Sequence, residues 1–145
     1  FELRPYFEQL CHSLGASMIH DPEQLSLEVT ADDSAVKPNV SVSLGLIVTE
    51  LVINALKHAF PDGRTGKIMV DYQARGPNWS LSVIDNGIGM PKEPSDAKPG
   101  LGTSIVEALA KQLDAAVAIA AAHPGTAVTV AHTQIAVVQP TATAV

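Results

Sequence analysis

The chain has 145 residues and a mass of 15.2 kDa, which is the size of one domain with a single hydrophobic core. A formal net charge of −6 argues against a nucleic-acid-binding surface, and a 46% share of hydrophobic residues excludes a disordered chain. The single cysteine, Cys11, excludes an internal disulfide and indicates a reducing compartment. Because we find no apolar run of membrane-spanning length, we expect a cytoplasmic segment without membrane contact, although the full-length protein could be membrane-anchored.

Hydrophobic periodicity predicts helices and strands that alternate along the chain. In chain order it predicts a helix over 5–18, a strand over 25–30, a long helix over 39–60, strands over 67–74 and 79–84, a helix over 101–113, and a final hairpin of strands over 115–122 and 126–133. Residues 75–78 are predicted to form the turn between the two middle strands. Residues 139–145, which are rich in threonine, alanine and proline, are predicted to form a loose tail.

The long helix predicted over 39–60 carries one polar stripe. Glu50, Asn54 and His58 are spaced by four residues and share one helix face, with Lys57 beside them. The opposite face is apolar and comprises Leu44, Ile47, Val48, Leu51, Val52 and Ala55. Asn54 offers an oxygen to a hard cation such as Mg²⁺, Lys57 a charge to a phosphate, and Glu50 a carboxylate to a nucleophile or a metal-bound water. An ordinary amphipathic surface helix would show the same stripe, so this helix alone leaves both interpretations open.

A strand that runs into a glycine loop follows the long helix. Residues 79–84 alternate between apolar and polar side chains, which predicts a strand, and Asp85 stands at its end. An ionised carboxylate only accepts hydrogen bonds, which suits the exocyclic amine of an adenine. Gly87 and Gly89 remove side chains where a flat base would approach the backbone. The same spacing also makes a tight turn, so on its own this motif leaves a nucleotide site and a plain turn as alternatives.

A proline-rich loop precedes the last predicted helix. Residues 91–99 contain three prolines, two lysines and no apolar stripe, which predicts a mobile loop. The loop runs into Gly100 and Gly102, where the helix begins. Free backbone amides at a helix N-terminus bind anions, and the hydroxyls of Thr103 and Ser104 add donors. A helix that starts with glycine is common, but the three signals in this order favour a nucleotide pocket.

Together these motifs resemble those of a known ATPase superfamily. Segments 50–60, 85–91 and 100–106 resemble, in that order, the N box, the G1 box and the G2 box of the GHKL superfamily. Residues 124–126 resemble its late glycine–threonine element. The similarity covers residues 25–132 and is to the ATP-binding domain of sensor histidine kinases.

A finer resemblance is to one subfamily of these kinases. Residues 57–61 followed by 66–68 resemble the subfamily named HisKA_2, near the HWE kinases. The sequence departs from the wider pattern in its short lid and in the absence of a separate phenylalanine-bearing F box. The resemblance implies a Bergerat-type ATP-binding fold, an α/β (α+β) two-layer sandwich whose mixed, mostly antiparallel sheet has its helices on one face. The resemblance also supports a strand over residues 115–122. On propensity alone, the alanine-rich composition of this segment would favour a helix.

The resemblance implies roles for individual residues. ATP and Mg²⁺ are the implied cofactors, with Asn54 as the Mg²⁺ ligand and Asp85 on the adenine amine. Glu50 occupies the place of the general base, Lys57 and His58 lie near phosphates or ribose, and Glu50 and Lys57 are the candidate catalytic residues. The base pocket and lid would comprise Gly87, Gly89, Gly100, Leu101, Gly102 and Thr103. Thr126 would support the adenine-binding aspartate.

The resemblance also implies an organisation into three parts. Residues 1–24 would form a helix that leads in from a missing dimerisation region, 25–133 the GHKL ATP-binding domain, and 134–145 a loose tail. The expected function is the catalytic domain of a two-component sensor histidine kinase, which transfers the ATP γ-phosphoryl group to a histidine outside this chain. The alternatives are an anti-sigma-factor serine kinase and a degenerate, non-catalytic phosphotransfer or docking module of the same fold.

The expected partners are a histidine-containing dimerisation domain, upstream of Phe1 or in trans, and a response regulator. His12 lies on a predicted helix, but the residues after it do not match the acceptor pattern of the subfamily. His20, His123 and His132 are scattered without metal-ligand spacing. We therefore expect the phosphoacceptor histidine to lie elsewhere.

Overall fold

The computed structural model describes residues 1–89 and 101–134. Its elements, in chain order, are helix α1 (Leu3–Met18), strand β1 (Leu25–Ala31), helix α2 (Pro38–His58), a 3-10 turn (Pro61–Gly63), strands β2 (Gly66–Arg75) and β3 (Asn78–Asp85), helix α3 (Leu101–Gln112), and strands β4 (Ala116–Ala121) and β5 (Thr126–His132). The strands form one sheet in the order β1-β2-β3-β5-β4. The β1–β2 pair is parallel, and the three other pairs are antiparallel.

One face of the sheet is buried under the helices. Ile68, Val70 and Tyr72 alternate along β2 and are at most 2% exposed, and Val83 and Leu81 lie opposite the last two on β3. Helix α1 packs on β1, α2 on β2 and β3, and α3 on α2 and β4. This arrangement confirms the predicted two-layer sandwich, with a mixed sheet and its helices on one face.

Helix α2 is the central core helix. Its buried residues are Ser41, Leu44, Gly45, Ile47, Val48, Leu51, Val52 and Ala55, which include the whole predicted apolar face. By length and composition alone α2 could cross a membrane, with a mean hydropathy of 1.6, so the expectation that no run reaches that length is corrected. A core helix passes the same test, and 44% of the apolar window is buried within the fold.

The predicted elements are all present, with shifted ends. Helix α2 ends at His58 rather than at Phe60, because Pro61 follows and disfavours helical geometry in the residue before it. The alanine-rich strand β4 is confirmed, since it pairs along its whole length with β5. Here sheet pairing overrides local helix propensity. The predicted loop over 91–99 and tail over 139–145 lie outside the described residues.

Helix α1 packs into the same core as the sheet. Leu3, Phe7 and Cys11 are buried, and the Phe7 ring contacts the Tyr72 ring edge-on with centroids 6.1 Å apart. Burial raises the pKa of the Cys11 thiol to about 11, so Cys11 stays protonated and behaves as a small apolar residue. The division of the chain near residue 24 stays a prediction.

Candidate nucleotide site

Asp85 stands at the end of β3, where the sheet meets the end of α2. Its side chain is 8% exposed, and its Oδ1 accepts the backbone N–H of Gly87 at 2.9 Å and that of Thr126 at 3.3 Å. A buried carboxylate needs such donors, because an unpaired buried charge is costly. Within residues 1–89 and 101–134, no hydrogen bond engages Oδ2. The geometry therefore fixes one carboxylate oxygen and leaves the other available to a ligand.

Glycines let three chain segments meet around Asp85. The N–H of Ile88 donates to the carbonyl of Ala59 at 3.0 Å, and a side chain on Gly87 would collide with that carbonyl. Gly125 has a φ of +99°, and a side chain there would collide with the carbonyl of Asp85. Gly89 has a φ of +83° and lies beside Gly125. These close approaches seat the glycine loop on the end of α2 and on the turn before β5.

The polar stripe of α2 leads towards this junction. Glu50 and Asn54 are half-buried, whereas Lys57 and His58 are exposed. Asn54 lies five residues before Ala59, which places it about 7.5 Å along the helix axis from the contact with the glycine loop. None of the four side chains is hydrogen-bonded to another described residue. They remain available to a ligand that lies between the helix and the loop.

Sequence reasoning missed a second anchor of the glycine loop. The Oδ1 of Asn86 accepts the backbone N–H of Lys67 at 2.7 Å, and the N–H of Asn86 donates to the carbonyl of Lys67 at 3.2 Å. Gly66 lies against both the Phe60 ring and Asn86, where a side chain would collide. This contact ties the end of α2 and the start of β2 to the loop. The glycine at residue 66 was the one signal of it in the sequence.

The side chains present fit a magnesium ion that is held mainly by phosphates. The described part of the chain contains no cluster of three or more His, Cys, Asp or Glu residues that could hold a metal by itself. Mg²⁺ bound to a triphosphate keeps water and phosphate ligands and needs one or two protein oxygens. The carboxamide of Asn54 and the carboxylate of Glu50, one helical turn apart, can supply them.

The structure describes three of the four residues predicted to form the lid, Leu101, Gly102 and Thr103. Helix α3 begins at Leu101, so Leu101, Gly102 and Thr103 form its first turn, and α3 packs against α2. The amides of a first turn have no partner within the helix and can bind an anion. Gly100 lies outside the described residues. The roles of all these residues remain predictions.

The fold and this site define an ATP-binding domain of the GHKL class. A family model described as histidine kinase-, DNA gyrase B-, and HSP90-like ATPase matches residues 39–136, which span α2, the glycine loop, α3 and β5. The chain belongs to this family. The match confirms the resemblance drawn from the sequence motifs.

Individual relatives are histidine kinases. The chain is 31% identical over 108 residues to blue-light-activated histidine kinase 2 of Erythrobacter litoralis, in a match that covers 73% of this chain and 31% of that protein. The solved blue-light activated histidine kinase of Erythrobacter litoralis EL346 has a TM-score of 0.81 at 26% identity, covering 91% of this chain and 42% of that one. Histidine kinase AdeS of Acinetobacter baumannii shares the fold, with a TM-score of 0.73 at 20% identity and coverage of 92% and 65%. The chain thus spans about a third of the length of the curated relative that it matches.

Proposed function

We propose that this chain is the catalytic ATP-binding domain of a two-component sensor histidine kinase, and that it transfers the γ-phosphoryl group of ATP to a histidine outside the chain. The environment of Asp85 carries the proposal. Its Oδ1 is held by two amides, one of them from Thr126 on β5, which lies 41 positions along the chain. A turn-forming aspartate needs no donor from the neighbouring strand, whereas an adenine acceptor needs a carboxylate fixed in direction.

The polar stripe of α2 serves the triphosphate in this proposal. Asn54 holds the magnesium ion, which would neutralise charge on the phosphates when bound, and Glu50 orients the acceptor group or holds a metal-bound water. Lys57 and His58, exposed in the last turn of α2, contact phosphates or ribose. The first turn of α3, with Gly100 before it, binds phosphate through backbone amides. Catalysis is then mainly the positioning of the γ-phosphate towards an incoming imidazole.

The acceptor and the next partner lie outside this chain. We propose a histidine-containing dimerisation domain as the acceptor, a response regulator as its partner, and a cytoplasmic location. His12 is exposed on α1, but its flanking sequence does not match the acceptor pattern. In this proposal the chain binds ATP and does not serve as its own phosphoacceptor.

Phosphorylation assays distinguish this function from its rivals. The 145-residue chain should bind ATP but show negligible autophosphorylation, and the full-length kinase should form an acid-labile phosphohistidine outside the chain. Acid-stable phosphoserine on an added protein substrate would instead indicate a serine kinase. Absence of ATP binding by calorimetry would indicate a non-catalytic module. Acid-labile phosphate on His12 of the chain alone would contradict the assignment of the acceptor.

A further inference from the structure

The side chain of Asn86 shapes the end of strand β3, directly after the last paired residue, Asp85. The register of β2 and β3 pairs Asp85 with Ile68, so the next position along the ladder pairs Asn86 with Lys67. The backbone N–H of Asn86 donates to the carbonyl of Lys67 at 3.2 Å, as an antiparallel ladder requires at this position. The N–H of Lys67 donates to Oδ1 of the Asn86 side chain at 2.7 Å, where a regular ladder would use the backbone carbonyl of residue 86.

This exchange of acceptors ends the ladder at a defined residue. An unpaired N–H at the end of a sheet needs a partner, and the nearest one is the backbone carbonyl that would continue the neighbouring strand. Because Oδ1 of Asn86 satisfies the N–H of Lys67, the backbone at Asn86 is free to leave the sheet. Asparagine side chains take the place of backbone acceptors in this way at turns. The Asn86 side chain therefore sets where the chain departs from β3.

The partner of Asn86 is itself held within the sheet. Lys67 is paired on its other side with Ser26 of β1. The N–H of the preceding residue, Gly66, donates to the carbonyl of Gln24 at 2.9 Å. A side chain on Gly66 would collide with Oδ1 of Asn86, so the glycine makes room for the contact. The start of the glycine loop is thus fixed to a strand that pairs on both sides.

The departure at Asn86 brings the next residue onto Asp85. The N–H of Gly87 donates to Oδ1 of Asp85 at 2.9 Å, which is shorter than the 3.3 Å from the N–H of Thr126. If the backbone carbonyl of Asn86 replaced its side chain on Lys67, β3 would continue by one pair and Gly87 would follow the strand direction away from Asp85. The Asn86 side chain therefore controls the closer of the two donors that orient this carboxylate.

We propose that Asn86 is a positioning residue for adenine selectivity, which acts through Gly87 and Asp85. This role rests on the proposed function, in which Asp85 accepts a hydrogen bond from the amine of adenine. The feature that matters is the side-chain oxygen, since it holds the N–H of Lys67 while the backbone turns away. Asn86 and Lys67 are both exposed, so water replaces the lost partner when the oxygen is removed. The bond therefore affects the choice of nucleotide more than the stability of the fold.

The test compares the ATP and GTP dissociation constants of the 145-residue chain by calorimetry, in the parent and in Asn86→Ala. We expect Asn86→Ala to lower the preference for ATP over GTP at least about fivefold, mainly through weaker ATP binding. The melting temperature should change little. An unchanged preference in Asn86→Ala, with a parent that favours ATP, would overturn the role of Asn86 and leave the proposed function standing. Absence of ATP binding by the parent would overturn the proposed function and this role with it.

A matched control separates positioning from a merely structural contribution. Asn78 lies at the opposite end of β3, where its Oδ1 accepts the N–H of Gln134 at 2.7 Å, the same kind of bond at the same distance. Asn78→Ala should lower the melting temperature about as much as Asn86→Ala and should leave the nucleotide preference unchanged. An equal loss of preference in the two variants would overturn the role of Asn86.

A conservative variant tests whether the oxygen is the cause. Asn86→Asp keeps an acceptor oxygen at the same place, and it should retain the preference for ATP to within about twofold. The measurement is made in about 0.15 M salt, which screens the added charge. A loss of preference as large as in Asn86→Ala would overturn the role of the Asn86 oxygen.

Hydrogen exchange observed by NMR tests the geometry without nucleotide. The amide of Gly87 should exchange at least about fivefold faster in Asn86→Ala than in the parent, because its bond to Asp85 is loosened. In Asn78→Ala it should exchange at the parent rate. Unchanged exchange at Gly87 in Asn86→Ala would show that the loop keeps its place without the Asn86 oxygen, and would overturn the proposed role.

Discussion

Thr126 donates its backbone N–H to Oδ1 of Asp85 at 3.3 Å, although 41 positions separate the two residues. The contact follows from the register of β3 and β5, which places Asp85 directly opposite Thr126. Gly87 adds a second donor to the same oxygen at 2.9 Å. The direction of the other carboxylate oxygen is therefore set by the sheet and not by the loop alone. A base that approaches the loop meets an acceptor whose position is already fixed.

The first prediction concerns nucleotide selectivity. The chain should bind ATP more tightly than GTP, because in the proposed site the Asp85 carboxylate would accept from the amine of adenine but would face another acceptor in the keto oxygen of guanine. Loss of this charged hydrogen bond should cost about 1.5–3 kcal/mol, or roughly ten- to a hundredfold in affinity. Calorimetric titration with both nucleotides measures the difference.

Two variants sharpen this prediction. Asp85→Asn should weaken ATP binding by a similar factor, since its amide replaces one acceptor oxygen with a donor. Asp71→Asn is the matched control, because Asp71 lies on β2 with its side chain bonded to Gln73. We expect the control to bind ATP as the parent chain does. Equal ATP and GTP affinities, or an unchanged ATP affinity in Asp85→Asn, would refute the assignment of Asp85.

Local patterns were sufficient to predict the elements and the chemistry-bearing stripe. The spacing of Glu50, Asn54 and His58 fixes their shared face through helical periodicity alone, and the buried face of α2 confirms the apolar half of that pattern. The bond between Asn86 and Lys67 could not be predicted in this way. It depends on which strands pair and in which register, and no local pattern near residue 86 contains that information.

A second prediction separates ligand contact from folding on α2. Under the proposed function, Asn54→Ala should lower magnesium-dependent phosphoryl transfer by the full-length protein at least about a hundredfold, because the proposed metal ligand is lost. The melting temperature should barely change, since Asn54 is half-buried on the polar stripe. Val52→Asp, two residues away, places a charge at a fully buried position and should unfold the chain. If Asn54→Ala melted as early as Val52→Asp, the Asn54 side chain would belong to the core and not to the site.

A third prediction tests the close approach at the turn before β5. Gly125 and Gly76 both have positive φ, at +99° and +59°, but a side chain has free space at Gly76 and collides with the Asp85 carbonyl at Gly125. Gly76→Ala should cost about 1 kcal/mol of stability from backbone strain alone. Gly125→Ala should cost at least about 3 kcal/mol and should also weaken ATP binding, because it displaces Asp85. Urea unfolding of both variants measures the difference, and equal losses would show that the turn can move away from β3.

The last prediction concerns stability in acid. Asp32 joins the ends of β1 and β2, since its Oδ1 accepts the N–H of Ser34 at 3.0 Å and its Oδ2 accepts the N–H of Ala74 at 2.7 Å. Partial burial alone would raise the pKa of this carboxyl, but the hydrogen bonds from Ser34 and Ala74 and the positive charge of Arg4 outweigh it and hold the pKa below 3.8.

The sign of the effect follows from this depressed pKa. In the unfolded chain Asp32 binds its proton near pH 3.8, whereas in the folded chain it does so only at lower pH. Its stabilising contribution is therefore complete well above pH 3.8 and is lost as the pH falls through the folded pKa.

We expect Asp32→Asn to lower the urea midpoint by a constant amount above about pH 5 and by progressively less in stronger acid. Asp33→Asn is the matched control, because the Asp33 carboxylate is 90% exposed and pairs only at the surface with Arg4. If the difference in urea midpoint between the parent chain and Asp32→Asn stayed the same from pH 7 to about pH 2, the stabilisation would not come from the ionised Asp32 carboxylate.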